Sequence, residues 1–377
     1  MGQLVNFCAG AELNVSPARR VNAVLLNVFD DASSDSAINS TNRMLESLRP
    51  FVVMMDLGGF QAHMAEVHGK KITFDKNRPL IRNKAEINIA PFLVMKAAAI
   101  IRPDIVVGLD FPIRKISEPS EQELEFMRKL GFNIVWTKEC FNLWKKLCPD
   151  VRFFVPIQCY NLNQLDQFTS LIAGIEYDGF SMPVRNLTDK GIILFMVRFY
   201  QMGVRQVHIL GTSKISVIAI TAYMARHFFD WVSFDATTWR KCAENSLYMN
   251  PYNLLRSRIA PDVKIDPSIP MDCECPFCRG KTFTFIKNLP DTDRTAFLRG
   301  HNWWVIEKAT QDLYQNAGNV IALERCLRAR GVKSRAVDEL CNALSLADSM
   351  KDADISVLQG LFNFKKKGEI CNAYVRF

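Results

Sequence analysis

The chain has 377 residues, of which 49% are apolar and 23% charged, close to the average for soluble globular proteins. That composition excludes a disordered chain, a fibrous repeat and a disulfide-stapled miniprotein. No run of about 18 uninterrupted apolar residues offers a membrane span, and no charged-then-apolar leader opens the chain, so a cytoplasmic protein is expected. A surplus of 47 Lys and Arg over 39 Asp and Glu gives a net charge of +8. It suits a polyanionic partner but is also common among ordinary enzymes.

Taken in chain order, short apolar runs alternate with longer helical patterns. The runs are Ala23–Phe29, Phe51–Asp56, Ile105–Asp110, Phe153–Gln158, Tyr177–Met182, Gln206–Gly211 and Trp231–Asp235. Their near-continuous hydrophobicity is that of strands buried on both faces. Helices are expected over Ile87–Ile101, Glu121–Leu147, Leu162–Ala173, Thr188–Met202 and Ser213–Phe228. Such alternation predicts a parallel sheet. Seven strands are clear and an eighth is ambiguous, so an open doubly wound sheet fits the same pattern. The fold class favoured is α/β, a (β/α)8 TIM-type barrel, because Asp56, Asp110, Gln158, Gly211 and Asp235 each end a separate strand. In a barrel that rim is the active-site face. A single Asp in such a place also serves to start a turn or cap a helix. Beyond the barrel, helices are expected from Asn302 to Gln315, Val320 to Arg330 and Ser334 to Met350. The organisation is therefore a catalytic barrel over 1–272, a zinc-binding subdomain over 273–301, and C-terminal helices over 302–377 packing on the barrel.

Three of the eleven cysteines, Cys273, Cys275 and Cys278, crowd into six residues, with His301 following. Three thiolates and an imidazole make a closed tetrahedral set, the pattern of a structural Zn2+ site with no position open for catalysis. The run Asp56-Leu57-Gly58-Gly59-Phe60-Gln61 follows an apolar strand. Its paired glycines permit close backbone approach to a ligand, and Phe60 offers a face on which a planar base can stack. A strand ending in Asp-x-Gly-Gly is also a common turn. In Phe234-Asp235-Ala236-Thr237 a carboxylate ends another strand. Such a group can act as a nucleophile at an acetal carbon, giving a glycosyl ester. That chemistry needs a second carboxyl group to manage a proton, and Asp56 is the candidate.

Together these motifs resemble the tRNA-guanine transglycosylase superfamily over nearly the whole chain. The superfamily's Asp-Ser-Gly-Gly-Phe/Tyr-Gln is similar to 56–61, its guanine-binding aspartate to Asp110, and its Val-Gln-Gly glutamine to Gln158. Its Leu-Met-Gly turn is similar to Ile209-Leu210-Gly211, its nucleophile run to 234–237, and its Cys-x-Cys-x-x-Cys and His-Asn set to Cys273, Cys275, Cys278, His301 and Asn302. The resemblance implies base exchange at guanosine. Asp235 would be the covalent nucleophile and Asp56 the acid–base partner, with Phe60 stacked on the base and Asp110 and Gln158 at its edge. Gly211 and Met182 would line the pocket.

Departures from the pattern are informative. Leu57 replaces the motif serine, Phe111-Pro112-Ile113-Arg114 replaces Glu-Cys-Thr-Pro-Tyr-Pro, and Met182-Pro183-Val184 replaces a Gly-Gly-Leu loop. The tRNA enzymes follow the nucleophile with Pro-Thr-Arg-Asn-Gly-Arg-Asn-Gly, which grips the anticodon loop; here the segment is Thr237-Thr238-Trp239-Arg240-Lys241-Cys242-Ala243-Glu244-Asn245. The chain thus looks most like the DpdA branch, the bacterial and phage DNA-guanine transglycosylases. That branch implies DNA as partner, a 7-deazaguanine (7-cyano-7-deazaguanine) as incoming base, Trp239 and Arg240 as nucleic-acid contacts, and room for accessory proteins. Ordinary packing is the competing reading of Trp239. A divergent tRNA-guanine transglycosylase and a non-catalytic zinc-stabilised accessory subunit are the alternatives for the chain.

Overall fold

The computed structural model describes residues 2–9, 21–32, 34–56, 73–75, 78–82, 88–114, 116, 118–184, 187–262, 271–354 and 357, with the backbone alone at 29, 30, 73–75, 78–82, 88 and 89. Eight strands form a closed barrel: β1 (Gln3–Ala9), β2 (Ala23–Asn27), β3 (Val52–Asp56), β4 (Ile105–Val107), β5 (Arg152–Pro156), β6 (Gly179–Pro183), β7 (Gln206–Leu210) and β8 (Trp231–Ala236). Every neighbouring pair is parallel and consecutive in the chain, and β1 closes the barrel against β8 from Gln3↔Trp231 to Cys8↔Ala236. The expected (β/α)8 architecture is therefore the observed one, and β1 is the eighth strand that the apolar pattern left ambiguous. No helix among the described residues is long and apolar enough to cross a membrane.

Helices Asp35–Leu48, Pro91–Ile101, Pro119–Leu147, Leu162–Leu171, Asp189–Gln201 and Ile215–His227 follow strands around the barrel. Local chemistry sets their starts. Ser34, Asn161 and Thr188 each accept a backbone N–H of the first turn, satisfying a donor that the helix cannot. Pro91 and Pro119 stand in the first turn, where a missing N–H costs nothing. Between β3 and Pro91–Ile101 lies a small antiparallel sheet of Thr73–Asp75, Arg78–Arg82 and Asn88–Ile89.

Side chains fill the barrel. The ring of Phe154 on β5 meets Trp231 on β8 at 5.6 Å, edge to face, across the interior. Arg152 lies over the same Trp231 ring and donates to Gln206 Oε1 at 2.9 Å. Alternation then assigns one face of each strand to the interior: Trp231, Ser233 and Asp235 on β8, and Gln206 and His208 on β7. Gly179 on β6 is in register with Phe154. A Cβ there would stand 2.7 Å from the Phe154 ring and 2.6 Å from the Gln206 carbonyl.

After β8 the chain forms helix Thr238–Glu244, the hairpin Leu247–Met249 with Arg256–Arg258, a turn-rich stretch carrying the three cysteines, and helices Phe283–Lys287, Asp291–Asn316, Val320–Ala329 and Ser334–Ser349. Asp291–Asn316 begins eleven residues before the start expected at Asn302 and runs unbroken through the boundary drawn at 301/302. The metal-ligand region and the C-terminal helices thus share one rod. That rod also reaches the barrel: Asn6 of β1 donates to Glu307, and the Tyr314 hydroxyl donates to the Gly2 carbonyl.

Because the Gly179 environment is backbone and a buried ring, neither of which swings away, Gly179→Ala should destabilise the fold by about 1–3 kcal/mol. Urea unfolding should show a lower midpoint at unchanged slope.

Candidate functional site

Two polar clusters meet the C-terminal rim. The first is built on β7 and β8. Asp235 is the penultimate residue of β8 and only 6% exposed. Its Oδ1 accepts the Gly211 N–H at 2.8 Å, and its backbone carbonyl accepts the Thr212 N–H at 2.8 Å. Gly211, the first residue beyond β7, has φ of 77°, a conformation glycine adopts without strain; it turns the chain so that the N–H faces the carboxylate. Below Asp235, His208 is fully buried. Its Nδ1 lies 2.7 Å from Ser233 Oγ, and its Nε2 lies 3.4 Å from Asp235 Oδ1.

The second cluster is built on β3, β4 and β5. Asp56 ends β3, Asp110 follows β4 by three residues, and Gln158 follows β5 by two. Asp110 and Gln158 are buried, and Gln158 Nε2 donates to Asp110 Oδ2. Burial, and then the Asp56 charge, push the Asp110 carboxyl up to about 7, while the Gln158 bond partly opposes them. The loop after Asp110 is pinned by the helix beneath it. Asn133 takes the Phe111 N–H at 2.7 Å and gives its amide to the Phe111 carbonyl at 3.1 Å; the buried Lys129 ammonium donates to Pro112 O at 2.7 Å. Asp110 is thereby held by backbone that has its own partners.

The remaining expected residues divide. Phe60 lies outside the described residues. Met182 does not face the interior: it pairs in register with Ile209, whereas its neighbour Ser181 pairs with the inward His208. Alternation turns Met182 to the helix side, where it is fully buried in the apolar core, so its place beside a base is corrected. Trp239 is corrected likewise. It is 0% exposed and packs edge to face on Trp303 at 5.9 Å, so it is core and offers no surface to a polymer. Arg240 is half-buried and pairs with Glu244 at 2.9 Å; Arg299 pairs with the same Glu244 oxygen at 2.8 Å.

Cys273, Cys275, Cys278 and His301 form a set that can hold a metal ion, their ligand atoms all lying within 4.8 Å of one another. His301 Nδ1 is 3.6, 3.4 and 3.2 Å from the three sulfurs in turn. Tetrahedral bonds of about 2.3 Å to sulfur and 2.0 Å to nitrogen put such atoms roughly 3.5 Å apart, so the set fits. The bond behind the imidazole agrees: His301 Nε2 is 2.7 Å from the Met249 carbonyl. A proton held there leaves the Nδ1 lone pair facing the thiols. Hydrogen bonds from neighbouring thiols pull Cys273 down, and Cys273 in turn pushes Cys275 up to about 11 and Cys278 further. Only a cation among the sulfurs would let all three be thiolates together. Gly300 makes room for the assembly, since a Cβ there would stand 2.4 Å from the Phe277 ring. Asn302, fully buried, takes the Met249 N–H at 3.0 Å and donates to the carbonyls of Leu247 and Trp239 at 3.0 and 3.3 Å.

His208, Ser233 and Ser181 are polar groups that the strand pattern passes over. All are 0% exposed, and Ser181 and Ser233 are each in register with His208. The signal was present as one polar residue flanked by apolar ones in each run, Ser181 between Phe180 and Met182, His208 between Val207 and Ile209, and Ser233 between Val232 and Phe234.

The family model described as queuine tRNA-ribosyltransferase matches residues 32–317, more than half of the chain. The matched span carries Asp56, Asp110, Gln158, Asp235 and all four candidate metal ligands. No match is found among curated proteins.

Replacing Cys275 by Ser removes a fully buried ligand from the closed set. Elemental analysis should fall from about one metal ion per chain to well below one, and the thermal midpoint should drop, since metal binding to such sets is coupled to folding. A wild type free of metal and as stable in chelator as without it would contradict this.

Proposed function

The chain belongs to the queuine tRNA-ribosyltransferase family, and on that premise we propose that it is a guanine transglycosylase acting on DNA, exchanging guanine for a 7-deazaguanine through a covalent aspartyl-glycosyl intermediate. The observation that carries this reading is the pair of clusters on one barrel rim. One is a buried carboxylate with a single oxygen tied down by a backbone N–H, and the other a buried Asp–Gln pair suited to the edge of a purine.

In the proposed reaction a carboxylate oxygen of Asp235 bonds to C1′ as the C1′–N9 bond breaks. The electron pair passes to the departing guanine, which takes a proton from Asp56. The incoming base gives its N9 proton back to Asp56 and attacks C1′, and the ester's electron pair returns to Asp235. Two displacements give net retention. Asp110 and Gln158 hydrogen-bond the base edge, and Phe60 stacks on its face. Zinc is the proposed occupant of the Cys3His set, with a structural role, since all four positions are filled by protein.

DNA is favoured over RNA by the segment after Asp235. The stretch that grips the anticodon loop in the tRNA enzymes is here a short helix whose Trp239 is core and whose Arg240 is paired to Glu244. A duplex substrate requires the nucleotide to be flipped out, with phosphate contacts supplying salt-dependent affinity. The tRNA reading is retained as the second because the matching family's description names tRNA.

The test offers labelled 7-cyano-7-deazaguanine with DNA and tRNA in parallel. Label should enter DNA, and Asp235→Asn should abolish both exchange and any denaturation-resistant adduct. Asp56→Asn should slow exchange about a hundred- to ten-thousand-fold while the adduct still forms. Label in tRNA alone would overturn the DNA reading, and label in neither would leave the non-catalytic subunit.

Base recognition should also depend on pH. With Asp110 titrating at about 7, the acid form dominates below that pH, whereas a guanine edge presents N–H donors that need the carboxylate. Purine affinity should therefore rise by up to about tenfold per pH unit as pH increases toward 7, and level off above it. Calorimetric titration should find Asp110→Asn weaker and insensitive to pH over the same range.

A further inference from the structure

We propose that His208 is a positioning residue for the Asp235 carboxylate, fixing Oδ1 so that Oδ2 is the oxygen that bonds to C1′; this rests on the transglycosylase reading. His208 sits inside the barrel with no exposed surface. Its Nδ1 is 2.7 Å from Ser233 Oγ on the adjacent β8, and Phe7 on β1, one strand further on, packs edge-on against the ring at 5.7 Å. The imidazole is thus held from two sides. Its Nε2 is buried, makes no hydrogen bond among the described residues, and stands 3.4 Å from Asp235 Oδ1.

Either nitrogen of His208 can carry the ring proton opposite the Ser233 hydroxyl, but a carboxylate beside Nε2 can only accept, which favours the proton there. When the Ser233 hydroxyl donates to Nδ1, the ring proton resides on Nε2, the nitrogen nearest the carboxylate. Oδ1 already accepts the Gly211 N–H. A second donor standing beside the same oxygen favours Oδ2 as the one left free to react. Catalytic hydrogen bonds are commonly long before substrate binds and tighten in the complex, so a 3.4 Å approach is the resting form of this contact. In the ester formed through Oδ2, Oδ1 is the carbonyl oxygen. When the incoming base displaces the ester, the C1′–Oδ2 electron pair returns to the carboxylate, and the N–H groups of His208 and Gly211 face the charge that reappears. No proton leaves His208 in either step.

The experiment compares steady-state exchange in the wild type, His208→Phe and His208→Gln. His208→Phe should lower kcat about ten- to a hundredfold with KM for the incoming base within about twofold, because His208 does not touch the base. His208→Gln, whose amide nitrogen reaches the Nε2 position, should recover most of the loss; a merely structural role would give no such split and no such rescue. An unchanged kcat in His208→Phe, or a loss in both variants with KM rising in step, would overturn the inference. Nitrogen-15 spectra of histidine-labelled protein give a readout that does not need turnover. The signal lost in His208→Gln should report an Nε2–H tautomer and should shift in Asp235→Asn. An Nδ1–H tautomer, or indifference to Asp235→Asn, would also overturn it. A wild type that exchanges no base would instead overturn the transglycosylase reading and the role with it, which separates the two failures.

Discussion

Closure of the barrel by β1 against β8 is the constraint on which the rest of the molecule depends. Asp235 stands on β8 in register with Phe7 of β1, so its height above the interior is set by six consecutive paired positions across that seam. Only closed pairing brings residues from opposite ends of the chain to one rim. The seam is braced from outside by the helix Asp291–Asn316, through Asn6 to Glu307 and through Tyr314 to Gly2. Burial pushes the Glu307 carboxyl up to about 7, with the Asn6 bond partly opposing it.

Most of the barrel was legible because strands covered on both faces are largely apolar, and β2 to β8 are, their polar residues standing at isolated positions such as Arg152, Gln206, His208 and Ser233. β1 was less legible because Asn6 interrupts its apolar course. That interruption is the contact with Glu307, a tertiary partner about three hundred residues away that no local pattern reveals. The rim was legible to within three residues: Asp56 and Asp235 lie in their strands, and Gly211, Gln158 and Asp110 follow theirs at increasing distance. The metal set was legible from spacing alone, since three crowded thiols and a following imidazole carry both the chemistry and the number of ligands that a closed tetrahedron needs. The extent of its helix was not, because Asp291–Asn316 opens with a polar turn whose Arg294 is buried by bonds to Leu289 O, Lys287 O and Ser246. Trp239 illustrates the limit of motif position: an aromatic shortly after the proposed nucleophile suggests a ligand contact, yet the available apolar surface of Trp303 takes it into the core.

Two of the three rim carboxylates, Asp235 and Asp110, are held by contrasting surroundings. Asp235 is supplied with a backbone N–H and faces a buried imidazole. Asp110 is desolvated, faced by another acid, and given only a neutral amide. Holding Asp110 ionised is therefore unfavourable. A pKa raised from 3.8 to about 7 corresponds to a penalty on the order of 4 kcal/mol, absent below about pH 4 and complete above about pH 7. A site that merely needed stability would place an apolar residue there. A partner with N–H donors relieves the penalty on binding, which is the asymmetry expected of a recognition group rather than a framework one.

The metal set and the barrel seam are not independent. His301 and Glu307 lie on one unbroken helix, six residues and about 9 Å apart along its axis. Asn302, between them, ties that helix to the hairpin strand at Met249 and to Trp239 in the helix that immediately follows β8. A metal ion at the cysteines would therefore fix a rod whose following turns hold the closing strand and the segment after Asp235. Its stabilisation would reach the rim through packed, hydrogen-bonded backbone. A metal ion held there would need no contact with the rim to matter for it, which is the physical sense in which a closed ligand set can be structural and still bear on the site.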